Sequence, residues 1–298
     1  LSYDVGDALG VWPRNSDSFV DEWLSVTSLD GDTVFDLPDQ GSMPLRTALR
    51  ERFEITRATP ELLRFVHMRT RDDNLGDLLR PDNKRSLADW AWGRQSVDVL
   101  GAHPVRASVE EWLSLLKPMQ PRLYSISSSP KENPNEVQLT VSAVRYNIHG
   151  VPRRGVCSTY LADHAADPDA DADIGIFVRK SAHFKPPEDP TAPMIMVGPG
   201  TGIAPFRAFL HERRALGHTG PNWLFFGERH AATDFYYRDE LTAMLDEGIL
   251  TRLDLAFSRD QSKKIYVQDR MTEHGAQLWQ WLHHGAHFYV CGDASRMA

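Results

Sequence analysis

From Pro193 onward, short apolar runs alternate with amphipathic stretches, and this alternation constrains the fold more than any other feature of the chain. Met194–Val197, Trp223–Phe226, Leu253–Phe257 and Phe288–Cys291 read as buried strands. The segment to Leu216, Arg238–Glu247 and Gln268–Leu282 read as helices between them. Parallel strands need long crossovers and helices supply them, so the pattern predicts a doubly wound, mostly parallel sheet. Between the first strand and its helix lies Gly198-Pro199-Gly200-Thr201-Gly202-Ile203-Ala204-Pro205. A strand, a glycine turn and a helix start make a cradle for a pyrophosphate, because backbone N–H groups converge there and the helix dipole favours negative charge. Ile203 stands where the common dinucleotide fingerprint has its third glycine. Alone, such a turn is as often a plain strand–helix connection.

The rest of the chain is organised differently. Residues 1–45 mix short strands with turns, Gly6-Asp7 leading into Ala8–Trp12. Residues 46–118 turn helical, with a capping box at Ser108-Val109-Glu110-Glu111 and an apolar face of Val109, Trp112, Leu113 and Leu116 that Pro118 ends. Residues 119–187 return to strands. Glu136–Tyr146 alternates, with Val137, Leu139, Val141 and Ala143 on one side; Ile174, Ile176 and Val178 repeat the device. Asp163–Asp173 reads as a solvated loop. The expected architecture is α/β plus β: an antiparallel barrel in two parts (1–45 and 119–187) around a helical insert, then a doubly wound domain over 188–298.

Composition closes several classes. The net charge of −8, without a basic stripe, argues against a nucleic-acid binder. No apolar run approaches the ~20 residues of a membrane span, and no signal-peptide pattern opens the chain. Cys157 and Cys291 read as reduced thiols of a cytoplasmic protein. Leu1 and Ser295–Ala298 read as cut ends of a longer protein, the latter as a helix barely begun.

A second constellation opens the later strand zone. Arg122, Tyr124 and Ser125 offer a cation for phosphates, an aromatic face for a flat redox ring and a donor near its reactive nitrogen. Each alone is more often a strand or surface residue. Gly155-Val156-Cys157-Ser158 is a second small-residue turn before a helical start. Ser258, Arg259 and Lys264 set one hydroxyl and two cations just beyond a strand, suited to a dianion or simply to solvent.

Arg122–Ser129, Gly155–Ser158, Gly198–Pro205, Ser258-Arg259 and Tyr289–Asp293 occur in the order found in NADPH-dependent diflavin reductases, which the chain resembles over its whole length. Gly6–Trp12, Arg122–Ser125, Asn222–Gly227 and Tyr266–Asp269 resemble the sulfite-reductase branch most. The resemblance implies an FAD site at Arg122, Leu123, Tyr124 and Ser125, at Thr140, Val141 and Ser142 with Tyr146 beyond, and at the pyrophosphate turn Gly155, Val156, Cys157 and Ser158. Cys157 stands where relatives often have alanine, and a structural role is expected for it; Thr56 matches a further FAD contact. The NADPH side is implied at Gly200, Thr201, Gly202, Ser258, Arg259, Lys264, Ile265, Tyr266, Val267 and Gln268. Ser125 and Cys291 match the pair that aids hydride transfer, a buried structural role for Cys291 being the alternative.

In this family hydride passes from NADPH to FAD, and electrons then pass singly to FMN in a preceding domain. The implied partners are that FMN domain in cis and a haem/iron-sulfur sulfite reductase subunit. An acidic residue near the nicotinamide and a flavin-stacking aromatic, both family features, match nothing up to Ala298. The same module could instead serve a P450 or a nitrate reductase. A non-catalytic interaction platform is disfavoured by the intact Tyr124, Ser125, Arg259 and Cys291.

Overall fold

The computed structural model describes residues 1–37, 41–165 and 173–292. The chain divides into two units: one of Leu1–Gly10, Leu123–Ser142 and Ile176–Ala298, the other of Val11–Arg122 and Ala143–Gly175.

The first unit holds a four-stranded sheet in the order Arg252–Phe257, Asn222–Glu228, Met194–Val197, His287–Val290. All neighbours are parallel, and Met194 pairs with Asn222 on one side and His287 on the other. The inner strands are continuous apolar runs because both of their faces are covered. Met194, Met196, Leu224 and Phe226 pack with Phe206, Phe209, Leu241 and Met244, which come from helices Ala204–Leu216 and Arg238–Asp246. Ile195, Val197, Trp223 and Phe225 pack with Val267 and Leu278, from helices Val267–Glu273 and Gly275–His283. The period-two alternation of each strand thus becomes a three-layer α/β/α sandwich. Where one helix was expected over Gln268–Leu282, there are two. The first ends at Glu273, His274 caps it, and the second begins at Gly275, the weakest helix former in the stretch.

The second unit is built around a helical core in which Trp112 meets Trp23 and Phe65 edge-on, at centroid distances of 5.9 and 5.4 Å. The expected capping box is formed: Ser108 Oγ accepts the Glu111 N–H (3.3 Å), and Glu111 accepts the Ser108 N–H (3.0 Å). The strand-and-turn reading of 1–45 missed a helix, Asp17–Thr27. Ser16 caps it, and Phe19, Val20, Trp23 and Leu24 form its buried stripe.

Strands Arg122–Ser125, Ala8–Trp12 and Gly175–Arg179 form a three-stranded sheet with Ala8–Trp12 in the middle, and the division between units falls within these strands. Arg145–Ile148 and Val151–Arg154 make an antiparallel hairpin. Of the expected long strand Glu136–Tyr146, only Arg145 and Tyr146 lie in a ladder, as the start of that hairpin; the stretch before them has one bridge, Leu139 to Ile126. Its amides turn to side chains: Gln138 N–H donates to Ser128 Oγ (2.9 Å) and Val144 N–H to Ser158 Oγ (3.1 Å). Alternation thus marked extended backbone without a ladder to pair it. The loop expected from Asp163 begins as the end of helix Val156–Ala165. Residues 166–172, like Asp293 and Ser295–Ala298, lie outside the described residues. Among the described residues no helix is long and apolar enough to cross a membrane.

Candidate functional site

In the first unit the chain leaves Met194–Val197 for a strand on one side and later returns to His287–Val290 on the other. That reversal opens a crevice at the carboxyl ends of the strands, where ligands of such sheets bind. The glycine turn fills it closely. Cys291 N–H donates to Val197 O (3.0 Å), and a Cβ on Gly202 would lie 2.1 Å from the Cys291 carbonyl oxygen. Gly200 serves differently: its φ is +58°, and the nearest atom to a Cβ there is a Glu228 carboxylate oxygen at 3.5 Å. One glycine permits close approach, the other a left-handed turn.

A cleft of about 590 Å³ lies here. Leu123, Tyr124, Ser125, Thr140 and Ser142 line it together with Gly200, Thr201, Gly202 and Cys291. Ser258, Arg259, Lys264, Tyr266, Val267 and Gln268 line it as well. Residues predicted for a flavin and for a dinucleotide therefore share one cleft within one unit. Val141 and Ile265 do not line it; Ile265 packs on the core below. The Ser258 and Arg259 amides donate to the Glu228 and Arg229 carbonyls (2.8 and 2.9 Å), which fixes the backbone under the exposed Arg259 side chain.

Cys291 lines the cleft beside Ser125. Burial pushes the thiol above its ordinary range and Ser125 only partly offsets that, so the sulfur stays protonated and neutral near pH 7. Thr140 Oγ1 is 2.7 Å from the Tyr237 hydroxyl. Sequence reasoning did not name several lining residues as part of the site, Glu228, Arg229 and Tyr236 among them. Glu228 and Arg229 sit at and just past the carboxyl end of Asn222–Glu228, a position the strand-end rule for α/β sheets would have found.

The remaining predicted residues lie in the second unit. Arg122 pairs with the buried Glu54 carboxylate and donates to Gln120 O (2.7 Å). The Tyr146 hydroxyl donates to Gly93 O (3.0 Å), and burial raises its phenol above the usual value. Gly155 precedes helix Val156–Ala165, in which Cys157 and Ser158 are buried. Thr56 and Val156 line a separate hollow of about 420 Å³ with Arg14, Arg50 and Arg154. Asp17 and Asp163 line it too, paired with Arg50 and Arg154, and Arg14 pairs with Glu51, so the guanidinium groups beside this helix start are already met by carboxylates.

Two families match the chain: the FAD binding domain over residues 1–160 and the oxidoreductase NAD-binding domain over residues 196–298. The chain is 45% identical over 298 residues to the sulfite reductase (NADPH) flavoprotein alpha-component of Serratia proteamaculans. It is 46% identical over 298 residues to that of Cronobacter sakazakii and 44% over 300 residues to that of Bacillus subtilis. Each alignment covers 100% of this chain and 49% of the relative, so the chain spans about half the length of these relatives.

Proposed function

The chain belongs to the FAD binding domain family, and on that premise we propose that it is the FAD- and NADPH-handling part of a sulfite-reductase-type flavoprotein. The observation that carries this reading is the single cleft in which Tyr124 and Ser125 meet Gly200–Gly202, Arg259 and Cys291. The residues fit both groups. Gly202 is pressed so close to the Cys291 carbonyl that no side chain could stand there, and Gly200 adopts a turn that leaves the strand-end crevice open.

The bound pair supplies the redox chemistry, a hydride moving from the nicotinamide C4 to the flavin N5; the protein supplies orientation and electrostatics. Tyr124 offers a face for the flavin ring, and Leu123, Thr140 and Ser142 flank it. Gly200, Thr201 and Gly202 receive the dinucleotide pyrophosphate. Ser258, Arg259 and Lys264 hold a 2′-phosphate by charge-assisted hydrogen bonds, with Tyr266, Val267 and Gln268 shaping the adenosine side and Ile265 packed on the core beneath them. The neutral Cys291 thiol, beside Ser125, orients the reacting rings without competing as a nucleophile. In the second unit, taken by itself, Thr56, Arg122, Tyr146 and Gly155–Ser158 are the residues that the family resemblance assigns to FAD binding. The three-stranded sheet and the hairpin Arg145–Arg154 are read as parts of the family's antiparallel barrel.

Electrons are then passed to an FMN-bearing domain and from it to a haem/iron-sulfur subunit that reduces sulfite; reduced Cys157 and Cys291 suit a cytoplasmic setting. The test is electron fate. With NADPH, the FAD-loaded chain should reduce ferricyanide far faster than cytochrome c. Adding the FMN domain should restore cytochrome c reduction, and adding the haemoprotein should yield sulfide. Fast cytochrome c reduction by this chain alone would contradict the diflavin reading.

A further inference from the structure

Thr140 lies on the cleft wall, yet its hydroxyl is committed to Tyr237, whose OH is 2.7 Å away. Tyr237 is unusual in itself. Its φ of 58° and ψ of 29° put a bulky aromatic in the left-handed region at the start of helix Arg238–Asp246. Such a conformation persists only where the surroundings over-determine it. Here they do: the Arg207 guanidinium lies 4.6 Å from the Tyr237 ring centroid. Arg207 is itself buried and fully engaged. It forks onto Glu240 (2.7 and 2.9 Å) and donates to Ser127 O and Gln138 Oε1, both at 2.7 Å. Glu240 is held in turn by His211 at 2.6 Å. Arg207 belongs to the helix that follows the glycine turn, whereas Ser127, Gln138 and Thr140 belong to the predicted flavin-side segment. One guanidinium thus ties the dinucleotide helix to the flavin-side wall, with the Tyr237 ring as the link.

We infer that Tyr237, stacked on Arg207, is a positioning residue that sets the Thr140 hydroxyl in the cleft and so fixes how the flavin ring is seated. The inference rests on the reading of this cleft as a flavin and NADPH site. A tyrosine without this duty would serve as well as phenylalanine, since both rings stack on a guanidinium.

The test is a double-mutant cycle of Tyr237→Phe and Thr140→Val, read by FAD titration and by the visible flavin spectrum. Each single change should weaken FAD binding about three- to tenfold, the scale of one hydrogen bond, and shift the flavin band. The double variant should be no worse than the weaker single, because both remove the same link. Additive losses, or an unchanged FAD affinity and spectrum in Tyr237→Phe, would overturn the inference. Thermal midpoints measured alongside separate a misfolded variant from a mispositioned one, and a Tyr237→Phe protein that melts early yet binds FAD normally also counts against it. If the unaltered protein takes up no FAD at all, the reading of the cleft itself fails, a result distinct from any outcome of the cycle.

Discussion

The glycine turn Gly198–Gly202 and the segment Ser258–Gln268 line the same cleft but are built in opposite ways. In the turn the backbone is the ligand-facing element: Gly202 is buried against the Cys291 carbonyl, and a Cβ would collide with it at 2.1 Å. In the segment the backbone is only a base, pinned to the neighbouring strand end at Glu228 and Arg229, while Arg259 and Lys264 project into solvent. The turn can recognise what every dinucleotide shares and tolerates no change. The segment can recognise what distinguishes one dinucleotide from another and can be altered without disturbing the fold. Four experiments probe that contrast.

The largest effect is expected at Gly202. Gly202→Ala must displace either the turn or Cys291, costing about 1–3 kcal/mol of stability. A displacement of about 1 Å at reacting groups costs on the order of a hundredfold in rate. NADPH and NADH use should fall together. Loss of NADPH use alone would show that the turn, too, reads the phosphate.

Acid should separate the two regions. Glu240, gripped by His211 and Arg207 against the cost of its burial, has its carboxyl lowered to about 2. Because that value lies below the ordinary 4.5, the stabilisation is complete above pH 4.5 and is lost as pH falls toward 2. The loss should reach about 3 kcal/mol, and tryptophan fluorescence during acid unfolding would follow it. Glu240→Gln should flatten that part of the profile. A wild-type stability that stays level from pH 5 to about 2.5 would rule the coupling out.

At Arg259 the effect is confined to coenzyme choice. Arg259→Ala should lose about 1.5–3 kcal/mol of charge-assisted binding, a ten- to hundredfold weaker use of NADPH, with NADH barely affected. NADPH binding should also weaken as pH falls through about 6, where a phosphate monoester takes up a proton. That is well above the range in which the fold responds. Equal losses with both coenzymes would remove Arg259 from the phosphate site.

The smallest effect is expected at Cys291. Replacing it by alanine removes the thiol beside Ser125, so flavin reduction should slow about two- to tenfold with FAD content unchanged. Stopped-flow reduction gives the rate, and an unchanged rate would return Cys291 to a packing role.

The same contrast governs what was legible in the sequence. Met194–Val197 and Trp223–Phe226 were readable because a strand covered on both faces becomes an unbroken apolar run, and the glycine turn because backbone geometry selects for glycine. Asp17–Thr27 was missed although Ser16 and the Phe19–Leu24 stripe announce it; the strand and breaker signals around it dominated. Glu136–Tyr146 was over-read because alternation reports extended backbone and says nothing of where the amides go. Those of Gln138 and Val144 go to serine hydroxyls. Glu228, Arg229 and Tyr236 carry no local pattern, and the strand order must be known before Glu228 and Arg229 stand out. Nor does any local pattern join Arg207 to Tyr237, because that link depends on helices meeting in space.

The most direct measurement is anaerobic stopped-flow reduction of the FAD-loaded protein, with NADPH and NADH compared at equal concentration. The flavin absorbance should bleach with NADPH, more slowly when the transferred C4 hydrogen is deuterium, and NADH should be at least about tenfold less effective, the worth of one charge-assisted phosphate contact. A flavin that stays oxidised under NADPH, or bleaches equally with NADH, would contradict the assignment of this cleft.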